Sequence, residues 1–76
     1  MAFFAKSFQE QLKAFLLELS VKHGLNETDL DKIIRMAYVF SVRDMKKMRK
    51  LANHMISNKL LDLPEENIIA ALKGKF

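Results

Sequence analysis

The sequence predicts an all-α fold, a small bundle of about four helices. With only two glycines and one proline in 76 residues, the chain lacks the many tight turns that a sandwich or barrel needs. Half of the residues are apolar, and they recur at steps of three and four, the spacing that places side chains on one face of a helix. We therefore expect residues 1–76 to form a single helical domain, since so short a chain has no room for a second core.

The first helix is predicted over residues 3–23. Its apolar stripe includes Phe8, Leu12 and Leu19, and Gly24 follows as a left-handed stop. A second, thinner apolar strip lies away from the first and contains Phe3, Ala14, Leu17 and Val21. A lone small bundle has no interior left to cover this strip, so we expect self-association, most simply as a homodimer. Scattered apolar side chains on the surface are the alternative.

The second helix is predicted over residues 27–40. Asn26 stands where a side chain can cap a helix, and Asp29 occupies the third helical position of a capping box. No glycine or proline marks the end of this helix, since neither occurs between residues 25 and 63.

The chain around residue 41 allows two interpretations. The apolar stripes before and after it are nearly in phase, which would permit one helix over 27–58. A continuous helix would, however, bury the hydroxyl of Ser41 and the carboxylate of Asp44 in that shared stripe. The same two residues are spaced as a cap and its partner, so we predict a break with Ser41 as the cap of a third helix over 42–58.

The fourth helix is predicted over residues 64–73. Pro64 suits the first turn, and Glu65 and Glu66 lie where the helix dipole is positive. Gly74 then marks the end of the helix.

A basic surface on the third helix is the feature that most suggests a function. The chain has 13 basic and nine acidic residues, and its formal net charge is +4. One face of helix 42–58 carries cations and polar groups, namely Arg43, Lys46, Lys47, Arg49, Lys50, Asn53 and His54. Cations near a helix start are disfavoured by its dipole, so this is either a tolerated solvated surface or one that binds an anion. A nucleic-acid backbone is the most economical anion, bound through phosphates with little sequence preference.

Two other kinds of partner remain open. The chain could be a protein-binding adaptor or inhibitor that uses its surplus apolar surface or binds an acidic protein. It could also bind an anionic membrane surface, although the apolar stripe of the third helix is needed for the core. Four methionines, Met36, Met45, Met48 and Met55, are expected to fill that core rather than to ligate a soft metal or line an adaptable groove.

Catalysis is not expected, and neither are a cofactor or a metal. The chain has no cysteine, which excludes thiol nucleophiles and cysteine-ligated metals. His23 and His54 lie on different predicted helices, where we expect both to face solvent, and no glycine-rich phosphate loop is present. No run of 18 apolar residues occurs, and the start of the chain does not read as a signal peptide. We therefore expect an unprocessed, cytoplasmic protein.

Overall fold

A computed structural model describes residues 7–76, and within that range the fold is all-α, with four helices and no strand, as predicted. The elements are α1 (Phe8–His23), α2 (Glu27–Val39), α3 (Met45–Ser57), a 3₁₀ turn (Leu60–Asp62) and α4 (Glu65–Leu72).

Helix α1 begins at Phe8 because Ser7 caps it. The Ser7 hydroxyl accepts a hydrogen bond from the backbone N–H of Glu10 at 3.2 Å. Serine followed three residues later by glutamate is typical of a helix start, and the prediction over 3–23 overlooked it. Residues 3–6 of that prediction lie outside the described residues. The predicted end is confirmed, since Gly24 follows α1 with a left-handed φ of 64°.

Helix α2 begins with the predicted capping box. The Asn26 side chain accepts from the backbone N–H of Asp29 at 2.8 Å, and the Asp29 carboxylate accepts from the backbone N–H of Asn26 at 3.2 Å. Both bonds satisfy N–H groups that have no partner within the helix.

The break between α2 and α3 is confirmed, but the predicted role of Ser41 is wrong. Ser41 follows the C-cap of α2 with a left-handed φ of 53°. Its N–H donates to the carbonyl of Tyr38 at 3.2 Å, and the N–H of Val42 donates to the carbonyl of Ala37 at 2.8 Å. This pair of bonds is a Schellman motif, so Ser41 ends α2 and does not start α3.

The cap of α3 is Asp44. Its carboxylate accepts a hydrogen bond from the backbone N–H of Lys47 at 2.9 Å. Helix α3 therefore begins at Met45, three residues later than predicted.

The chain between α3 and α4 turns through a left-handed residue, Lys59, with φ 56°. The following 3₁₀ turn is tied to α2, because the Lys32 ammonium donates to the carbonyl of Leu61 at 2.6 Å. Pro64 directly precedes α4 instead of lying in its first turn.

Helix α3 is central to the core. Its Met48, Leu51 and Met55 are fully buried, together with Ile33 and Met36 of α2 and Ile68 and Leu72 of α4, while α1 contributes Phe15 and Leu19. All four methionines in question are buried, as predicted for core residues. Because the apolar side of α3 is buried in the core, the opposite side of this helix faces outwards.

Candidate functional site

The outward side of α3 carries the cations that the sequence analysis singled out. Six of the seven predicted residues are exposed and one, His54, is half-buried. We call this surface the basic face; it consists of Arg43, Lys46, Lys47, Arg49, Lys50, Asn53 and His54. Helix α3 is therefore amphipathic in the fold, with its apolar residues inside and its cations outside.

Lys46 and Lys50 lie along the middle of the basic face. They are four residues apart on α3, which separates their backbones by about 6 Å along the helix axis and places them on one side. Arg43 precedes the Asp44 cap and so lies outside the helix, a correction to the helix start predicted at residue 42. The cations thus extend from the connection before α3 through its second turn.

Arg49 marks the edge of the basic face towards α1. Its guanidinium carbon lies 5.8 Å from the centroid of the Phe15 ring, within the range of a cation–π contact. The two side chains, with Glu18, line a shallow hollow of about 150 Å³ between α1 and α3. Arg49 therefore also has a packing role, whereas Lys46 and Lys50 have no such contact among the described residues.

The other edge of the basic face borders a hollow that sequence reasoning missed. It has a volume of about 190 Å³ and is lined by Phe40, Val42, Lys47, Lys50, Lys75 and Phe76. We call it the aromatic hollow. It joins residues from the end of α2, the start of α3 and the turn after α4.

The turn after α4 is built by Gly74, which has a left-handed φ of 84°. The backbone N–H groups of Lys75 and Phe76 both donate to the carbonyl of Leu72, at 3.1 and 3.3 Å. The chain thereby folds back so that Lys75 and Phe76 reach α3. A glycine after a helix was the one signal in the sequence that a reversal occurs here.

His54 is the predicted site residue whose environment differs most from expectation. It was expected to face solvent, but it is half-buried, and its ring centroid lies 6.0 Å from that of Phe76. Its Nδ1 lies 3.3 Å from the side-chain nitrogen of Asn58. His54 therefore supports Phe76, while His23 is exposed as expected.

The five cations of the basic face outnumber the acids beside it, which are Asp44 and Glu18. No acidic residue occurs from Met45 through Leu61, and the carboxylate of Asp44 is engaged by the N–H of Lys47. Within residues 7–76 the ion pair that forms is elsewhere, between Arg35 and Glu65 at 3.5 Å. Lys46, Lys47 and Lys50 thus form no ion pair within residues 7–76 and can bind an external anion.

The second apolar strip of α1 is exposed in the fold. Leu17 is 68% exposed and Val21 is 80% exposed, and Ala14 is exposed as well. These residues lie roughly opposite the buried side of α1. Phe3, the fourth member of the predicted strip, lies outside the described residues.

Among residues 7–76, no group of three or more His, Cys, Asp or Glu side chains could hold a metal ion. No helix in that range is long and apolar enough to cross a membrane.

Comparison of the chain with protein-family models, with curated proteins and with solved structures gives no match.

Proposed function

We propose that this chain is a small, non-enzymatic, cytoplasmic protein that binds nucleic acid through the basic face of α3. The observation that carries the proposal is the outward side of this helix, where Lys46, Lys47 and Lys50 are exposed and no carboxylate of α3 accompanies them. Because their charge is not neutralised within residues 7–76, a polyanion gains from contact with them.

The position of the cations strengthens the argument for an anionic ligand. Lys46 and Lys47 lie in the first turn of α3, where the helix dipole opposes positive charge by a few tenths of a kcal/mol each. The helix begins there because of Asp44 and the buried Met45, and neither requires lysine at the next two positions. Binding to phosphates gives these lysines a role that folding does not.

The contacts are expected to go to phosphates more than to base edges. On the exposed side of α3, the uncharged polar side chains are Asn53 and Ser57, and His54 packs beside Phe76. Lysine ammonium groups bind phosphate as point charges and carry little sequence information. We therefore propose binding with weak sequence preference.

The salt dependence of binding tests this proposal. If Arg43, Lys46, Lys47 and Lys50 each neutralise one phosphate, the affinity for duplex DNA falls with salt at a log–log slope of about −3.6. The measurement is fluorescence anisotropy of a labelled duplex at several salt concentrations, and a second duplex of scrambled sequence serves as the control. We expect the two duplexes to bind within about threefold of each other, since phosphates are common to both. Absence of binding at about 100 µM protein and low salt would refute the proposal.

Protein binding through α1 is the second candidate, and the exposure of Leu17 and Val21 favours it. A second copy of the chain is the simplest partner for this strip, and another protein is the alternative. An acidic protein or an anionic membrane would bind the basic face of α3 and not the strip on α1. For a membrane, α3 would have only its cations to offer, because its apolar side is buried in the core.

A further inference from the structure

The aromatic hollow combines aromatic rings with positive charge at one edge of the basic face. Phe40 and Phe76 line it together with Lys47, Lys50 and Lys75, and no Asp or Glu is among its lining residues. We propose that this hollow binds one unpaired base of a nucleic-acid strand, while its three lysines bind the phosphates on either side of that base. The inference rests on the proposed function and adds the class of nucleic acid, one with single-stranded character.

The size of the hollow suits a single flat ring system. Its volume is about 190 Å³, whereas sites for drug-sized ligands typically enclose about 300–1,000 Å³. A base in a duplex is stacked and paired, so it cannot enter such a hollow. An unpaired base offers its face to an aromatic side chain, and stacking of this kind is tolerant of sequence.

The charge around the hollow favours a nucleic-acid strand over an apolar peptide. Three lysines line the hollow beside the apolar residues Phe40, Val42 and Phe76. An apolar peptide would have to approach these ammonium groups without neutralising them. A nucleotide in a strand presents an aromatic base between two phosphates, so it offers a partner to the aromatic residues and to the lysines of the lining.

The fold holds the two aromatic residues in place from different directions. Phe40 is the C-cap of α2, and its N–H donates to the carbonyl of Met36 at 3.0 Å. Phe76 is held by its N–H bond to the carbonyl of Leu72 and by the ring of His54. Lys47 and Lys50 belong to both the hollow and the basic face, so a strand bound on the face passes the hollow.

The experiment compares three labelled probes with the full chain by fluorescence anisotropy. The probes are an oligothymidine strand, a strand of the same length and charge that lacks bases, and a duplex. We expect the wild-type chain to bind the thymidine strand at least about fivefold more tightly than the abasic strand, because stacking contributes that much per base. Phe76→Leu should remove this difference and leave the affinities for the abasic strand and the duplex unchanged. Phe8→Leu is the matched control, since Phe8 is a half-buried phenylalanine on α1 that does not line the hollow.

A second pair of variants keeps the test valid if Phe76→Leu perturbs the fold. Lys75 lines the hollow and Lys73 does not, although both are exposed lysines after α4. Lys75→Gln should weaken binding of the thymidine strand and lower its log–log salt slope by about 0.7. Lys73→Gln should have no effect. Equal effects of the two substitutions would overturn the proposed site.

The outcomes separate this inference from the proposed function. Equal wild-type affinities for the thymidine and abasic strands would overturn the base site, while salt-dependent duplex binding would leave the proposed function standing. Absence of binding to all three probes would overturn both. Displacement of the thymidine strand by an acidic, phenylalanine-containing peptide of equal charge, at equal concentration, would also overturn the assignment of the hollow to a base.

Discussion

The backbone N–H of Val42 donates to the carbonyl of Ala37 at 2.8 Å, and both side chains are buried where α2 ends. This bond closes the last turn of α2 and separates two helices whose apolar patterns would allow one continuous helix. It requires a left-handed residue between them, and Ser41 takes that conformation with φ 53°. The chain turns at Ser41, so that α3 packs against α2 with its apolar side inwards and the basic face outwards.

The left-handed conformation of Ser41 predicts that glycine is preferred at this position. Left-handed backbone costs an L-residue about 1–2 kcal/mol, and glycine removes this cost. The greater entropy of glycine in the unfolded state offsets part of the stability gained. Ser41→Gly should therefore raise the free energy of unfolding by about 0.5–1 kcal/mol, measured by urea titration. Gly24→Ala is the reciprocal control and should lower the free energy of unfolding, because φ at Gly24 is 64°. An added Cβ there meets no atom within 4 Å, so the backbone conformation alone causes the loss. A loss of stability in Ser41→Gly would contradict the assigned motif.

The cap at Asp44 predicts different effects on stability and on binding. Asp44→Ala should lower the free energy of unfolding by about 1 kcal/mol, because the N–H of Lys47 loses its acceptor. Asp44→Asn keeps an acceptor and should leave stability nearly unchanged. By removing a negative charge at the start of the basic face, it should also tighten duplex binding at low salt. Asp31→Asn, an exposed carboxylate on α2, is the control for net charge, and an equal gain in affinity there would contradict a local effect.

The exposed strip on α1 predicts self-association. Leu17 and Val21 are four residues apart and largely exposed, so they form one continuous patch on the helix. Sedimentation equilibrium at micromolar concentration should give a mass above the 8.8 kDa of the monomer, and Leu17→Glu should shift it towards the monomer. Gln9→Glu places the same charge at another exposed position of α1 and should leave the mass unchanged. A wild-type monomer would exclude the homodimer.

The four helices and the N-cap of α2 could be predicted because their signals are local. The capping box of Asn26 and Asp29 requires only residues three apart, and the structure confirms it. The same spacing misled the prediction at Ser41 and Asp44, since a serine with an acid three positions later is typical of an N-cap. A left-handed serine is uncommon, because glycine usually takes that position, so the sequence did not favour the correct interpretation.

The edges of the candidate site depend on packing between distant parts of the chain. Arg49 lies over Phe15, and Lys75 and Phe76 line the aromatic hollow together with Lys47. No local spacing relates these residues, since helix periodicity places side chains on a face but does not say which other helix covers it. The basic face itself was predictable because it needs only the period of α3.

Charge reversal on the basic face tests the central proposal most directly. Lys46→Glu combined with Lys50→Glu lowers the formal net charge from +4 to zero, and Lys13→Glu with Lys22→Glu changes it equally on α1. Thermal melts of both variants establish that they fold, and acids near the start of α3 suit its dipole. The measurement is the affinity for a labelled duplex at low salt. We predict that the α3 variant loses at least about a hundredfold in affinity, and that the α1 variant keeps a salt slope of about −3.6. Equal duplex affinities of the two folded variants would contradict binding through the basic face.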